Sequence, residues 1–109
     1  MNINWKIFTS ASSPAKADKI LNNVVAKLEV DCKERSVAPY HKGGYVCSFS
    51  IEANSEPWLD TAYSTIQLGQ VVGRSWILTG SIEEEVDLWS SESCVSGVDN
   101  IHIYVGINA

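Results

Sequence analysis

Ala38-Pro39-Tyr40-His41-Lys42-Gly43-Gly44 runs directly into Tyr45-Val46-Cys47-Ser48-Phe49-Ser50-Ile51-Glu52. The first seven residues are rich in turn formers, and the next eight alternate. Tyr45, Cys47, Phe49 and Ile51 fall on one side, and Val46, Ser48, Ser50 and Glu52 on the other. A two-residue period places successive side chains on opposite faces of a strand, so this stretch predicts a hairpin whose second arm is half buried. A hairpin in mid-chain fixes how the flanking elements are to be arranged.

On the N-terminal side, the polar run within Val30–Val37 suits a strand near a sheet edge, where inserted charges discourage unwanted pairing. Before it, Ser13-Pro14 reads as an N-cap followed by proline at the first helical position. Ala17, Ile20, Leu21, Val24 and Leu28 then recur at helical spacing. Ile3 to Phe8, short, β-branched and aromatic, predicts the first strand.

On the C-terminal side, Ser55 and Pro57 open a second helix with an inward stripe of Leu59, Ala62, Tyr63, Ile66 and Val72 or Gly73. The spacing Gly69-x-x-x-Gly73, late in that helix, predicts tight packing or a helix end. Ser75-Trp76-Ile77-Leu78-Thr79 and Asn100-Ile101-His102-Ile103-Tyr104-Val105 read as strands, with Trp5 and Trp76 in the core. The order β-α-β-β-α-β predicts an α+β fold: a ferredoxin-like split β-α-β antiparallel sheet with two helices on one face. Ser81 to Gly97 is left over from that plan and predicts an extra strand towards the C-terminus, or a long functional loop.

A length of 109 residues, with 45% hydrophobic and 19% charged residues, is that of one ordinary globular domain spanning 1–109. Cys32, Cys47 and Cys94 are odd in number and lack a C-x-x-C pair. That argues against a disulfide framework or a zinc knuckle and for a reducing, cytoplasmic setting. The N-terminal residues carry no signal-peptide pattern, and no run of apolar residues is long enough for a membrane span.

Charge is unevenly placed. Residues 1–51 carry seven Lys/Arg and four Asp/Glu, whereas residues 52–109 carry Arg74 alone against nine acids. So acidic a C-terminal half repels phosphate backbones, which argues against that half binding nucleic acid directly, and steers cationic partners; solubility alone accounts for the same charge equally well.

No catalytic pattern is present. His41 lies in the turn, and His102 alternates with Ile101 and Ile103, so it faces away from the layer they pack on; a plain sheet-face histidine is the simpler reading. Glu83-Glu84-Glu85-x-Asp87 lacks the glycine-containing loop of a calcium site and reads as a solvated run, so neither metal nor cofactor is expected. Trp89, set among carboxylates, has the make-up of an interface anchor, although packing over a sheet edge would account for it equally.

From Gln67-Leu68-Gly69 through Trp76-Ile77-Leu78-Thr79-Gly80-Ser81 to Glu85-Val86-Asp87-Leu88-Trp89-Ser90 and Ser96-Gly97-Val98, the chain resembles small bacterial immunity proteins. These are the partners encoded with polymorphic toxins of contact-dependent growth inhibition systems and bacteriocins. The resemblance implies a compact, non-catalytic cytoplasmic protein that neutralises a cognate, basic nuclease toxin. It carries over no residue pattern. The residues expected at the contact come from charge: Glu83, Glu84, Glu85 and Asp87 for the negative field, Glu92 and Asp99 extending it, and Trp89 as anchor. Two rival readings are a ligand-binding or enzymatic module with a pocket lined by Tyr45, Phe49, Trp76 and His102, and a subunit joined through an exposed sheet edge.

Overall fold

Strands form where apolar and polar residues alternate, and here the alternation of four strands lines up in register. The computed structural model describes residues 1–53 and 57–107. Its elements are β1 (Asn2–Thr9), α1 (Pro14–Leu28), β2 (Lys33–Pro39), β3 (Tyr45–Glu52), α2 (Trp58–Val72), β4 (Gly73–Arg74), β5 (Ile77–Thr79), β6 (Glu85–Ser90), β7 (Glu92–Ser93) and β8 (Val98–Gly106). Six of the strands form one antiparallel sheet in the order β2-β3-β1-β8-β6-β5; β4 and β7 pair separately. The fold is mixed α+β, and its strand count exceeds the five expected from sequence.

The inner face is built in rows. Phe49, Trp5, Ile103 and Leu88 stand side by side across β3, β1, β8 and β6, and Cys47, Ile7, Ile101 and Ser90 form the next row. All eight are buried. Both helices cover this face and touch each other.

Helix α1 forms as its sequence predicts. The Ser13 hydroxyl accepts from the Lys16 N–H at 3.3 Å, Pro14 takes the first turn, and Ala17, Leu21, Val24 and Leu28 face the sheet. Glu29 ends the helix in the left-handed region, with its N–H bonded to the Val25 carbonyl.

Helix α2 keeps part of its expected stripe, with Ala62 and Val72 buried and Ile66 packed against the core, but is rolled so that Leu59 and Tyr63 face outwards. Its buried residues are Thr61, Ala62, Thr65, Gly69 and Val72, while Leu59 and Tyr63 are 66% and 64% exposed. The small residues win the inner position because the helix lies close to the sheet and to Trp76: a Cβ on Gly69 would sit 3.1 Å from the Trp76 ring and 3.4 Å from Ile103. The Thr65 hydroxyl is satisfied inside by donating to the Thr61 carbonyl at 2.7 Å. The expected Ser55 start lies outside the described residues; the described helix begins after Pro57 without a side-chain cap.

One further expectation is adjusted, and one of two alternatives is decided in favour of strand. The strand expected over Ser75–Thr79 shortens to β5, because Ser75 adopts a positive φ of 53° and Trp76 turns in towards Gly69 and Gly73. The stretch Ser81 to Gly97 supplies β6 and β7. The sheet edges are guarded: β5 has three residues, and β2 carries Lys33, Glu34 and Arg35, with a register shift where Glu34 takes a φ of 55°.

Candidate functional site

Both helices pack on the inner face, so neither covers the outer face of the sheet, where Trp89 and its neighbours are partly open to solvent. Alternation sends Phe8 on β1, Asp87 and Trp89 on β6, and His102 on β8 to that side. His102 and Trp89 are direct cross-strand partners, and their rings stack at 4.0 Å with 10° between planes. The His102 Nε2 lies 2.8 Å from the Asp87 Oδ1, a contact that fixes the ring's orientation. Phe8 continues the group, lying 6.0 Å from Trp89 at 22° and 5.2 Å from Tyr40 at 70°. A single aromatic cluster thus spans β6, β8, β1 and the β2–β3 turn.

Beside it opens a cleft of about 530 Å³. Phe8, Tyr40 and Trp89 supply its aromatic walls, and Ser10, Lys42, Asp99 and Asn100 supply its polar groups. The turn from Tyr40 to Gly44 forms one side. It is closed by Gly43 N–H to the Tyr40 carbonyl at 2.9 Å and Tyr40 N–H to the Gly44 carbonyl at 3.0 Å. Gly44, at φ +73°, lies so close to the Thr9 carbonyl that a Cβ would be 1.9 Å away, so glycine is required there. The Ser10 hydroxyl donates to Asp99 and holds that carboxylate in place.

The seven residues expected from charge divide by position. Asp87 and Trp89 lie together on the open face, with Trp89 39% exposed, and Asp99 lines the cleft. Glu85 begins β6, its side chain against Gly80, and Glu83 and Glu84 are exposed in the turn before it. Glu92 lies on β7, opposite Arg74 and beyond the far end of β6. The acids therefore form no single patch. The pocket expected from Tyr45, Phe49, Trp76 and His102 is not formed: Phe49 is in the core, Trp76 packs against α2, and His102 is on the opposite face.

Sequence reading missed Phe8, Tyr40, Ser10 and Asn100. Phe8 carried a signal, since it shares a parity with Lys6 and Asn4 rather than with the buried Ile7 and Trp5. Among the described residues, no group of three metal-ligating side chains converges, and no helix is long and apolar enough to cross a membrane. No family model, curated protein or solved structure matches the chain.

Proposed function

We propose that the chain is a non-catalytic binding protein of the immunity kind, which neutralises a basic nuclease toxin in the cytoplasm by docking it on the uncovered face of the sheet. The observation that carries this reading is the position of Trp89. It is the residue expected as an anchor, it is partly exposed on the open face, and it is braced by His102 with carboxylates at Asp87 and Asp99 nearby. Interface energy concentrates in aromatic residues of this kind, while surrounding charges set approach and register. The resemblance of the stretch from Gln67 to Val98 to immunity proteins points the same way.

His102 has a bracing place in this reading: its Nε2 meets Asp87 and its ring face lies on Trp89, which holds the indole in position for a partner. The three free cysteines are consistent with a reducing compartment. We read the fold as a ferredoxin-like split β-α-β arrangement with β5 and β6 added beside β8. The order β2-β3-β1-β8, with α1 between β1 and β2 and α2 between β3 and β8, supports it.

The test is inhibition. Polypeptides captured at low salt on the immobilised chain are produced separately, and their nuclease activity is titrated with wild-type chain and with Trp89→Ala. Stoichiometric inhibition by the wild type that weakens in the variant is expected; equal inhibition by both would remove the open face from the reading. The cleft itself favours a second reading, a small-molecule-binding module. Native mass spectrometry of the purified chain decides for that reading if a small molecule is retained one-to-one.

A further inference from the structure

Resting on the reading above, we infer that the cleft beside Trp89 receives an arginine side chain from the docked partner. Three aromatic side chains, Phe8, Tyr40 and Trp89, line it, with Tyr40 set steeply to Phe8 and Trp89 nearly parallel to it. Aromatic faces are electron-rich, and a cation placed over them is attracted, most strongly by an indole. The Trp89 indole is also pre-set: His102 covers it at 4.0 Å, and Asp87 holds His102 at 2.8 Å. Its orientation therefore need not be acquired on binding.

The charges in the cleft select the cation. Asp99 is the negative group there, and the Ser10 hydroxyl keeps it in position. Asn100 adds a side-chain carbonyl that can accept. A guanidinium is planar, stacks on an aromatic face and presents a fork of N–H donors to a carboxylate at the same time; an ammonium does only one of these well.

Lys42 also lines the cleft, and it is the residue that separates this proposal from a phosphate-bearing planar ligand such as a nucleotide. It is exposed on the turn before Gly43 and has no ion-pair partner among the described residues, so its flexible stem can carry the ammonium out to water. For an arginine guest Lys42 is a mild repulsion. For a nucleotide it would be the phosphate contact.

The experiment uses the whole chain and four probes: the peptide acetyl-Gly-Arg-Gly-amide, its lysine and citrulline counterparts, and guanosine monophosphate. Binding is read from the Trp89 indole N–H and the Asn100 amide in two-dimensional NMR spectra. The arginine peptide is expected to shift both signals saturably. The citrulline peptide, which keeps the shape and loses the charge, should bind about tenfold more weakly, with the lysine peptide between them. Asp99→Asn should cost the arginine peptide about tenfold and leave the citrulline peptide unchanged, whereas Lys42→Ala should tighten arginine binding. Both variants must keep the wild-type spectrum away from the cleft.

Equal binding of arginine and citrulline, no saturable shift, weaker arginine binding in Lys42→Ala, or preference for the nucleotide each overturns the inference. The two readings fail separately. Toxin inhibition without arginine binding sinks only this inference, and arginine binding without any inhibited nuclease sinks only the proposed function.

Discussion

Cys47 is fully buried between the sheet and α1, its thiol 3.6 Å from the Ala17 carbonyl, while Cys94 is exposed. Burial, and to a lesser degree the Asp18 carboxylate, push the Cys47 thiol above its ordinary pKa, and burial does the same for Cys32. Brief treatment of the native protein with iodoacetamide at mildly alkaline pH should therefore add one label, at Cys94, with the other two thiols reacting only after unfolding; intact mass before and after denaturant checks this. The same shift sets a pH trend. A thiol that holds its proton more tightly when folded stabilises the fold fully below the ordinary thiol range and loses that contribution as pH rises through the raised value. Denaturant midpoints should accordingly fall on the alkaline side, and more shallowly in Cys47→Ala than in the wild type.

Helix α2 shows how an element can satisfy its sequence in a way that apolarity alone does not reveal. Thr61, Thr65 and Gly69 recur every four residues and form the seam, with Leu59 and Tyr63 outside. Gly69→Val should then destabilise by about 1–3 kcal/mol, because the added carbons meet Trp76 and Ile103 in a packed layer. Leu59→Gln and Tyr63→Gln should each stay within about 0.5 kcal/mol, as exposed positions do. Urea unfolding of the three variants checks the pair of expectations, and the opposite ranking would restore the stripe expected from sequence. Strands β1, β3 and β8 and helix α1 were legible because their alternation, capping and turn residues agree with one another. Helix α2 was legible as a helix, and Ala62 and Val72 as inward residues, but its facing was not, because apolar residues lie all round it and only the approach distance to the sheet picks the inward side. Strand β5 was legible but shorter than its run suggests, for a local reason: a positive φ at Ser75 divides a stretch that reads as continuous.

Across the whole molecule, the charge asymmetry along the chain becomes an asymmetry across the sheet. Strands β2, β3 and β1 come from the half with excess Lys/Arg, and β8, β6 and β5 from the acidic half, with the β1–β8 boundary running beside Phe8 and Asn100. That the acidic half held a candidate site was readable from composition. The gathering of Trp89 with Phe8, Tyr40 and Asp99 was not, because it depends on which strands become neighbours. The geometry also separates two roles that charge alone merges. Asp87 is engaged with His102 within the aromatic cluster, whereas Glu83 and Glu84 stand exposed in the turn before β6. Carboxylates of the second kind act at a distance, speeding encounter with a cationic partner at low salt and contributing little once the complex has formed. Reversing both, Glu83→Lys with Glu84→Lys, should lower kon about tenfold at low ionic strength and flatten its salt dependence, with koff little changed. Trp89→Ala should do the reverse, raising koff by about 30-fold or more while kon holds, since a buried aromatic anchor is felt mainly in the lifetime of the complex. Surface plasmon resonance at three salt concentrations resolves both rates. A double reversal that leaves kon intact would take the acidic turn out of steering, and a Trp89→Ala that slows kon instead of raising koff would make the indole a part of the approach rather than of the grip.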